Sequence, residues 1–288
     1  MLIALQGNQR VENWNHQSDK NRLCVFPLWY VNMKKSPSLK QLLKKFNKEK
    51  AFLFLDYDGT LAKFAPNPDV ILPDAELIGI LNEVKQHNNI RVAIISGRKL
   101  GHIRALVPIS GIWLAGSYGI EMVDPHGNEI HLLEFDTLRP GLEIVKPFWH
   151  ELMNGRKGFY LEDKGWSLAI HANGSDQREV ATVLEKAGLI EVPPGFHLKS
   201  THNFVEICPP TADKGLAVEY ILETEQFKNA LPIFLGDDPR DEDAFKKVRS
   251  MDGLGILISE KERQTQAVFC LENPDEVRKW LQAIAELS

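Results

Sequence analysis

The sequence predicts an α/β fold: a doubly wound, Rossmann-like parallel sheet with a compact α+β cap unit inserted into it. Three observations lead there. Short, nearly continuous apolar runs end in Gly, Ser or Asp clusters, as strands buried on both faces do. Segments of helical period alternate with those runs, the pattern of a parallel sheet. In the middle of the chain the alternation gives way to helix, two strands, helix, two strands.

The elements follow in order. Residues 1–32 are polar and irregular, then briefly apolar, and carry no signal-peptide pattern. Translation is expected to begin at Met33, with 1–32 an extension that is not native; a short docking tail is the alternative. Ser36-Pro37-Ser38 opens a helix with Leu39, Leu42, Leu43 and Phe46 on one face. Ala51 to Leu55 reads as a buried strand running into Asp56-Tyr57-Asp58-Gly59-Thr60. Pro73-Asp74 starts a helix that Asn88-Asn89 stops. The strand from Ile90 leads into Ser96-Gly97-Arg98, a helix spans Lys99 to Val107, and a strand spans Ile112 to Ala115. Pro140 to Met153 is expected to be helical. Gly158 to Glu162 and Trp166 to His171 read as a hairpin, Gln177 to Ala187 as a helix, and His197 to Ser200 and Phe204 to Ile207 as two more strands. The sheet resumes with Leu231 to Leu235, Gly255 to Ile258 and Ala267 to Leu271, and a helix from Pro274 closes it. The domain reading is therefore a core of 33–139 and 209–288 with a cap at 140–208.

Composition narrows the partners. Of 288 residues 43% are hydrophobic, enough for a real core, and the net charge is −5. That charge, without a basic stripe, argues against nucleic acid and acidic membranes as partners. The apolar runs are too short to span a bilayer. Three widely spaced cysteines, Cys24, Cys208 and Cys270, give neither a disulfide framework nor a zinc pattern, so a reducing, cytoplasmic location is expected.

The chemistry sits at strand ends. Open α/β sheets bind ligands outside the carboxyl ends of their strands, and Asp56 and Asp58 both fall there. One carboxylate can attack an electrophile while the other moves a proton. Ser96 and Thr60 offer hydroxyls and Lys214 a cation. Asp237 and Asp238, with Asp241, offer hard oxygen donors that suit Mg2+. Plainer roles compete: a helix cap for Ser96, an exposed helical lysine for Lys214, and favourable charge at a helix N-terminus for the acidic run.

These four motifs, in this order over roughly residues 51–271, resemble the haloacid dehalogenase-type phosphatase superfamily. The resemblance implies Asp56 as nucleophile forming an aspartyl-phosphate and Asp58 as general acid and then base. Thr60, Ser96 and Lys214 would hold the phosphoryl group. Mg2+ would be bound by Asp56, the Asp58 carbonyl, Asp237 and Asp238. The second aspartate favours alcohol leaving groups and disfavours an ATPase pump. Gly236 to Phe245, Leu161 to His171, and Val205-Glu206-Ile207 ahead of Asp213-Lys214-Gly215 resemble the trehalose-6-phosphate phosphatase family, over most of residues 50–285. That implies Glu162, Lys164 and Glu206 as partners of sugar hydroxyls. Gly97, Arg98, Tyr118 and His171 are further candidate substrate contacts. It also raises functional pairing with a trehalose-phosphate synthase.

The chain departs from the family pattern at four places. Tyr118 stands where His is usual, Asn173 where Arg is frequent, Cys208 where a basic residue is frequent, and Arg240 where Thr is usual. Phosphatases of glucosylglycerate or sucrose phosphate therefore remain alternatives. So do a phosphomutase and a catalytically silent sugar-phosphate sensor.

Overall fold

The computed structural model describes residues 34–63, 72–172, 176–200 and 203–286. The 1–32 segment, Met33 and Asn173, on which expectations above fall, lie outside the described residues.

A nine-stranded sheet forms the centre. Its strands are β1 (Lys34–Lys35), β2 (Lys50–Leu55), β3 (Ile90–Ile95), β4 (Trp113–Gly116), β5 (Glu121–Val123), β6 (Glu129–His131), β11 (Ala230–Gly236), β12 (Leu254–Ile258) and β13 (Phe269–Leu271). The spatial order is β1-β13-β12-β11-β2-β3-β4-β5-β6. Pairing is parallel from β1 through β4, and antiparallel for β5 and β6 at one edge. The chain leaves β2 toward β3 on one side and later returns to β11 on the other. The end of β2 is thus a switch point of the sheet.

Alternation along β2 fixes the two layers. Ala51, Leu53 and Leu55 join a core with helices α1 (Leu39–Lys45), α2 (Ala75–Val84), α3 (Leu100–Leu106) and α8 (Pro274–Ala285). Phe52 and Phe54 point to the opposite core with α6 (Lys214–Thr224) and α7 (Glu242–Ser250). Both faces are covered, which is why these strands read as unbroken apolar runs.

The inserted unit has its own sheet, β7 (Phe159–Asp163), β8 (Leu168–Ala172), β9 (His197–Ser200) and β10 (Phe204–Cys208), in the order β7-β8-β10-β9, all antiparallel. Helices α4 (Phe135–Met153) and α5 (Gln177–Gly188) cover one face with a separate core that includes Leu142, Trp149, Leu168, Ile170, Val205 and Ile207. The other face carries one row across three strands, Glu162 opposite Ala169 opposite Glu206. Helix α4 begins five residues ahead of the expected Pro140. Proline fits a first helical turn, so its position reads as a start. Here Pro140 and Pro147 both lie inside the helix, and Phe135 anchors the extra turn edge-on against Trp166.

Candidate active site

Three neighbouring strand ends converge. Asp56 follows β2 and donates its backbone N–H to Leu235 of β11. Ser96 follows β3, and Asp237 follows β11. Lys214 opens α6, where Asp213 caps the helix through Gly215 N and Leu216 N. Its side chain turns inward and donates to Asp56 Oδ1 at 2.7 Å and Asp241 Oδ1 at 2.6 Å. Asp56, Lys214 and Asp241 are all buried.

The charges explain the electrostatics. Oxygens of Asp56, Asp237 and Asp241 lie within 4.8 Å of one another, and three carboxylates face one ammonium. Burial, reinforced by Asp241 and Asp237, drives the Asp56 pKa well above the carboxylate range. Burial and Asp241 likewise push Asp237 up to about 7. Burial also opposes the Lys214 charge, but Asp241 and Asp56 outweigh it and hold the ammonium protonated. A largely buried group of hard carboxylates short of positive charge fits a divalent cation such as Mg2+.

The other strand-end residues have specific surroundings. Gly59 has φ +77°, and a Cβ there would lie 2.2 Å from Asp237 Oδ2; only glycine lets the β2 turn meet that carboxylate. Thr60 donates to Asp237 Oδ1 at 3.2 Å. Ser96 Oγ accepts from Arg98 N at 3.2 Å. Arg98 grips Asp58 with two bonds of 2.6 Å, Nε to Oδ2 and Nη2 to Oδ1. The fork engages the Asp58 carboxylate, not the backbone carbonyl expected to face a metal. The Asp238 carboxylate caps the turn Pro239–Asp241 through Arg240 N, and Asp241 joins Asp56 and Asp237 in the acidic group. Gly97 makes room for the Tyr118 ring, which a Cβ would meet at 2.7 Å.

The open face of the cap sheet lies over this site. Lys164 is buried and donates to Tyr118 Oη at 3.1 Å and Glu206 Oε1 at 3.3 Å, with Glu162 3.5 Å away. Small Ala169 between the two glutamates leaves space for that ammonium. Ser167 also donates to Glu206 Oε1, at 2.8 Å. His171 pairs with Glu162 at 2.9 Å and stacks on Phe204 and Tyr160. Burial disfavours the Glu162 anion, but the His171 bond and the Lys164 charge win and hold its pKa at about 2. Tyr118 is offered to the cap by two successive left-handed residues, Ser117 (φ 50°) and Tyr118 (φ 59°), a strained conformation of the kind found at ligand sites.

Sequence reasoning has no signal for the Asp58–Arg98 pair, and it places Ser167 within the Leu161 to His171 stretch without a role. It meets Arg240 only as a departure, although Arg240, on the turn Pro239–Asp241, pairs with Glu206 of the cap sheet.

Fold and site together define a capped α/β protein with an acidic, lysine-bearing group at the carboxyl ends of its central strands. A trehalose-phosphatase family model matches residues 54–275. The chain is 32% identical over 248 residues to probable trehalose-phosphate phosphatase D of Arabidopsis thaliana, covering 81% of this chain and 67% of that one. The chain belongs to the trehalose-phosphatase family, whose members are phosphoric monoester hydrolases. In fold it is similar to the C-terminal domain of C. albicans trehalose-6-phosphate phosphatase, with TM-score 0.76 at 19% identity over 90% of this chain and 100% of that one. It is also similar to the C-terminal domain of the Candida albicans trehalose synthase regulatory protein, with TM-score 0.71 at 16% identity over 88% of this chain and 100% of that one. Among the described residues no helix is long and apolar enough to cross a membrane.

Proposed function

We propose that this chain hydrolyses trehalose 6-phosphate to trehalose and inorganic phosphate, with Mg2+, through an aspartyl-phosphate on Asp56. The observation that carries the reading is the buried Asp56–Lys214–Asp241 group with half-buried Asp237, beneath a cap face bearing Glu162, Lys164 and Glu206. A phosphate monoester resists attack because its anionic oxygens repel the nucleophile, so the site must offset that charge. Asp56, Asp237 and Asp241 would hold Mg2+, which when bound would supply charge neutralisation and orientation of the phosphoryl group.

The chain's own residues do the rest. Asp56 attacks phosphorus, the bond from phosphorus to the sugar oxygen breaks, and Asp58 gives that oxygen a proton. Asp58 then takes a proton from water, which attacks the phosphorus of phospho-Asp56 and frees phosphate. Asp58 must leave the fork of Arg98 to do so. Lys214 holds Asp56 in position, and the Thr60 and Ser96 hydroxyls lie at the same strand ends. Glu162, Lys164 and Glu206 read the sugar, since a disaccharide needs many polar partners. A trehalose-phosphate synthase is the functional partner that would supply the substrate. The cytoplasm suits Cys208 and Cys270, neither of which forms a disulfide among the described residues.

Fold alone does not carry catalysis, as a regulatory protein shares it. Presence of the nucleophile, the lysine and the acidic group favours the enzyme over the silent sensor. The test is acid quenching during turnover followed by peptide mapping. Phosphate is expected on Asp56, and more of it in Asp58→Asn. Turnover with no phosphorylated Asp56 in either protein rejects the covalent route.

A further inference from the structure

Three of the four positions at which the sequence departs from its family meet at one side chain, Arg240. It lies on the turn Pro239–Asp241, which splits two charges between two sites. Asp241 goes to Lys214, and Arg240 crosses to the cap. There its Nη1 donates to Glu206 Oε2, its Nη2 approaches Cys208 Sγ at 3.7 Å, and its guanidinium lies 3.8 Å from the centre of the Tyr118 ring. Only 13% of its side chain is exposed, and that of Glu206 is fully buried.

The donor count at Glu206 sets what can bind there. A carboxylate has about four lone-pair sites. Among the described residues, Ser167 and Lys164 take two on Oε1, and Arg240 takes one on Oε2. One site is left, on Oε2 beside the guanidinium. Arg240 therefore fixes the carboxylate plane and leaves one acceptor direction open. It also ties this sugar-facing group to the loop that carries Asp237 and Asp241.

We propose that Arg240 is a positioning residue for substrate selection: it orients Glu206 toward a sugar hydroxyl and holds the cap in register with the acidic loop. The inference rests on the reading of Glu206 as a sugar contact. Tyr118 supplies the flat face on which the guanidinium lies. Cys208, small and apolar in character, leaves it room where a longer side chain would compete for Glu206.

The test compares wild type, Arg240→Gln and Arg240→Lys, alone and with Glu206→Gln. Two substrates are used: the best sugar phosphate of a panel, and p-nitrophenyl phosphate, which has no sugar. Arg240→Gln is expected to raise KM for the sugar phosphate by about tenfold or more, the scale of one charge-assisted hydrogen bond. Its kcat should stay nearly unchanged, and KM for p-nitrophenyl phosphate should move far less. Arg240→Lys, which keeps the ion pair, should recover part of the loss. In the Glu206→Gln background Arg240→Gln should add nothing further. An equal loss on both substrates would make Arg240 merely structural and overturn the proposal. A full additional loss without Glu206 would overturn the route through that carboxylate.

Hydrogen exchange on the substrate-free protein gives a readout that needs no substrate. Amides of β10 should exchange faster in Arg240→Gln than in wild type, and less so in Arg240→Lys. If wild type cleaves p-nitrophenyl phosphate but no sugar phosphate, the sugar reading fails. Exchange then decides the cap-register role by itself, and unchanged β10 protection overturns it.

Discussion

Asp56 is the most constrained residue of the site: buried, bonded to Lys214, and crowded by Asp237 and Asp241. Asp56→Asn removes the attacking oxygen and should abolish phosphate release while the fold persists, as circular dichroism would check. Asp58→Asn should retain binding and lose about 10²–10⁴-fold in kcat, the usual weight of a general acid; a loss under tenfold would mean another group protonates the leaving oxygen. Lys214→Met strands two buried carboxylates and should cost about 3–5 kcal/mol in denaturant unfolding without metal. Gly59→Ala forces a left-handed residue, costing roughly 1–2 kcal/mol, and displaces Asp237. It should therefore weaken Mg2+ stabilisation more than its own stability cost accounts for.

At the scale of elements, the cap is an independent layer with its own core. Leu168 is fully buried there, and Leu168→Ala should cost about 2–5 kcal/mol. Hydrogen exchange should show lost protection in β7 to β10 and little change in β2, β3 and β11. Glu162 gives the cap a pH dependence of definite sign. Its pKa is held at about 2 against an ordinary 4.5, so the ionised form is favoured by folding. That contribution is whole above the ordinary value and is lost as pH falls through the folded one. The thermal advantage of wild type over Glu162→Gln should shrink progressively as pH falls from about 5 to about 2 and stay flat above. Much of this layer was legible. Strand runs from Ala51, Ile90 and Leu231 are buried on both faces, and such strands announce themselves by unbroken apolarity. Strands β5 and β6 were not legible, since three-residue antiparallel pairs at a sheet edge carry almost no periodicity. The start of α4 was hidden by Pro140, because only the Phe135–Trp166 contact shows that the helix begins earlier. Within the site, spacing found the strand-end acids and Lys214. It could not show that Asp58 lies in the grip of Arg98, 40 residues away in sequence, or that Arg240 reaches the cap.

Across the whole molecule, two sheets of different character meet over one set of charges. The parallel sheet supplies the strand ends that carry the acidic group, and the antiparallel cap supplies the polar face of Glu162, Lys164 and Glu206. Mg2+ should raise the melting temperature of wild type, by mass action on the folded state, and should do so much less in Asp241→Asn. The decisive measurement is inorganic phosphate release from a sugar-phosphate panel that includes trehalose 6-phosphate, glucosylglycerate phosphate and sucrose phosphate, with and without Mg2+. Fast release from trehalose 6-phosphate, dependent on Mg2+ and absent in Asp56→Asn, is the predicted result. Release undiminished in Asp56→Asn, or a clear preference for another sugar phosphate, would contradict it.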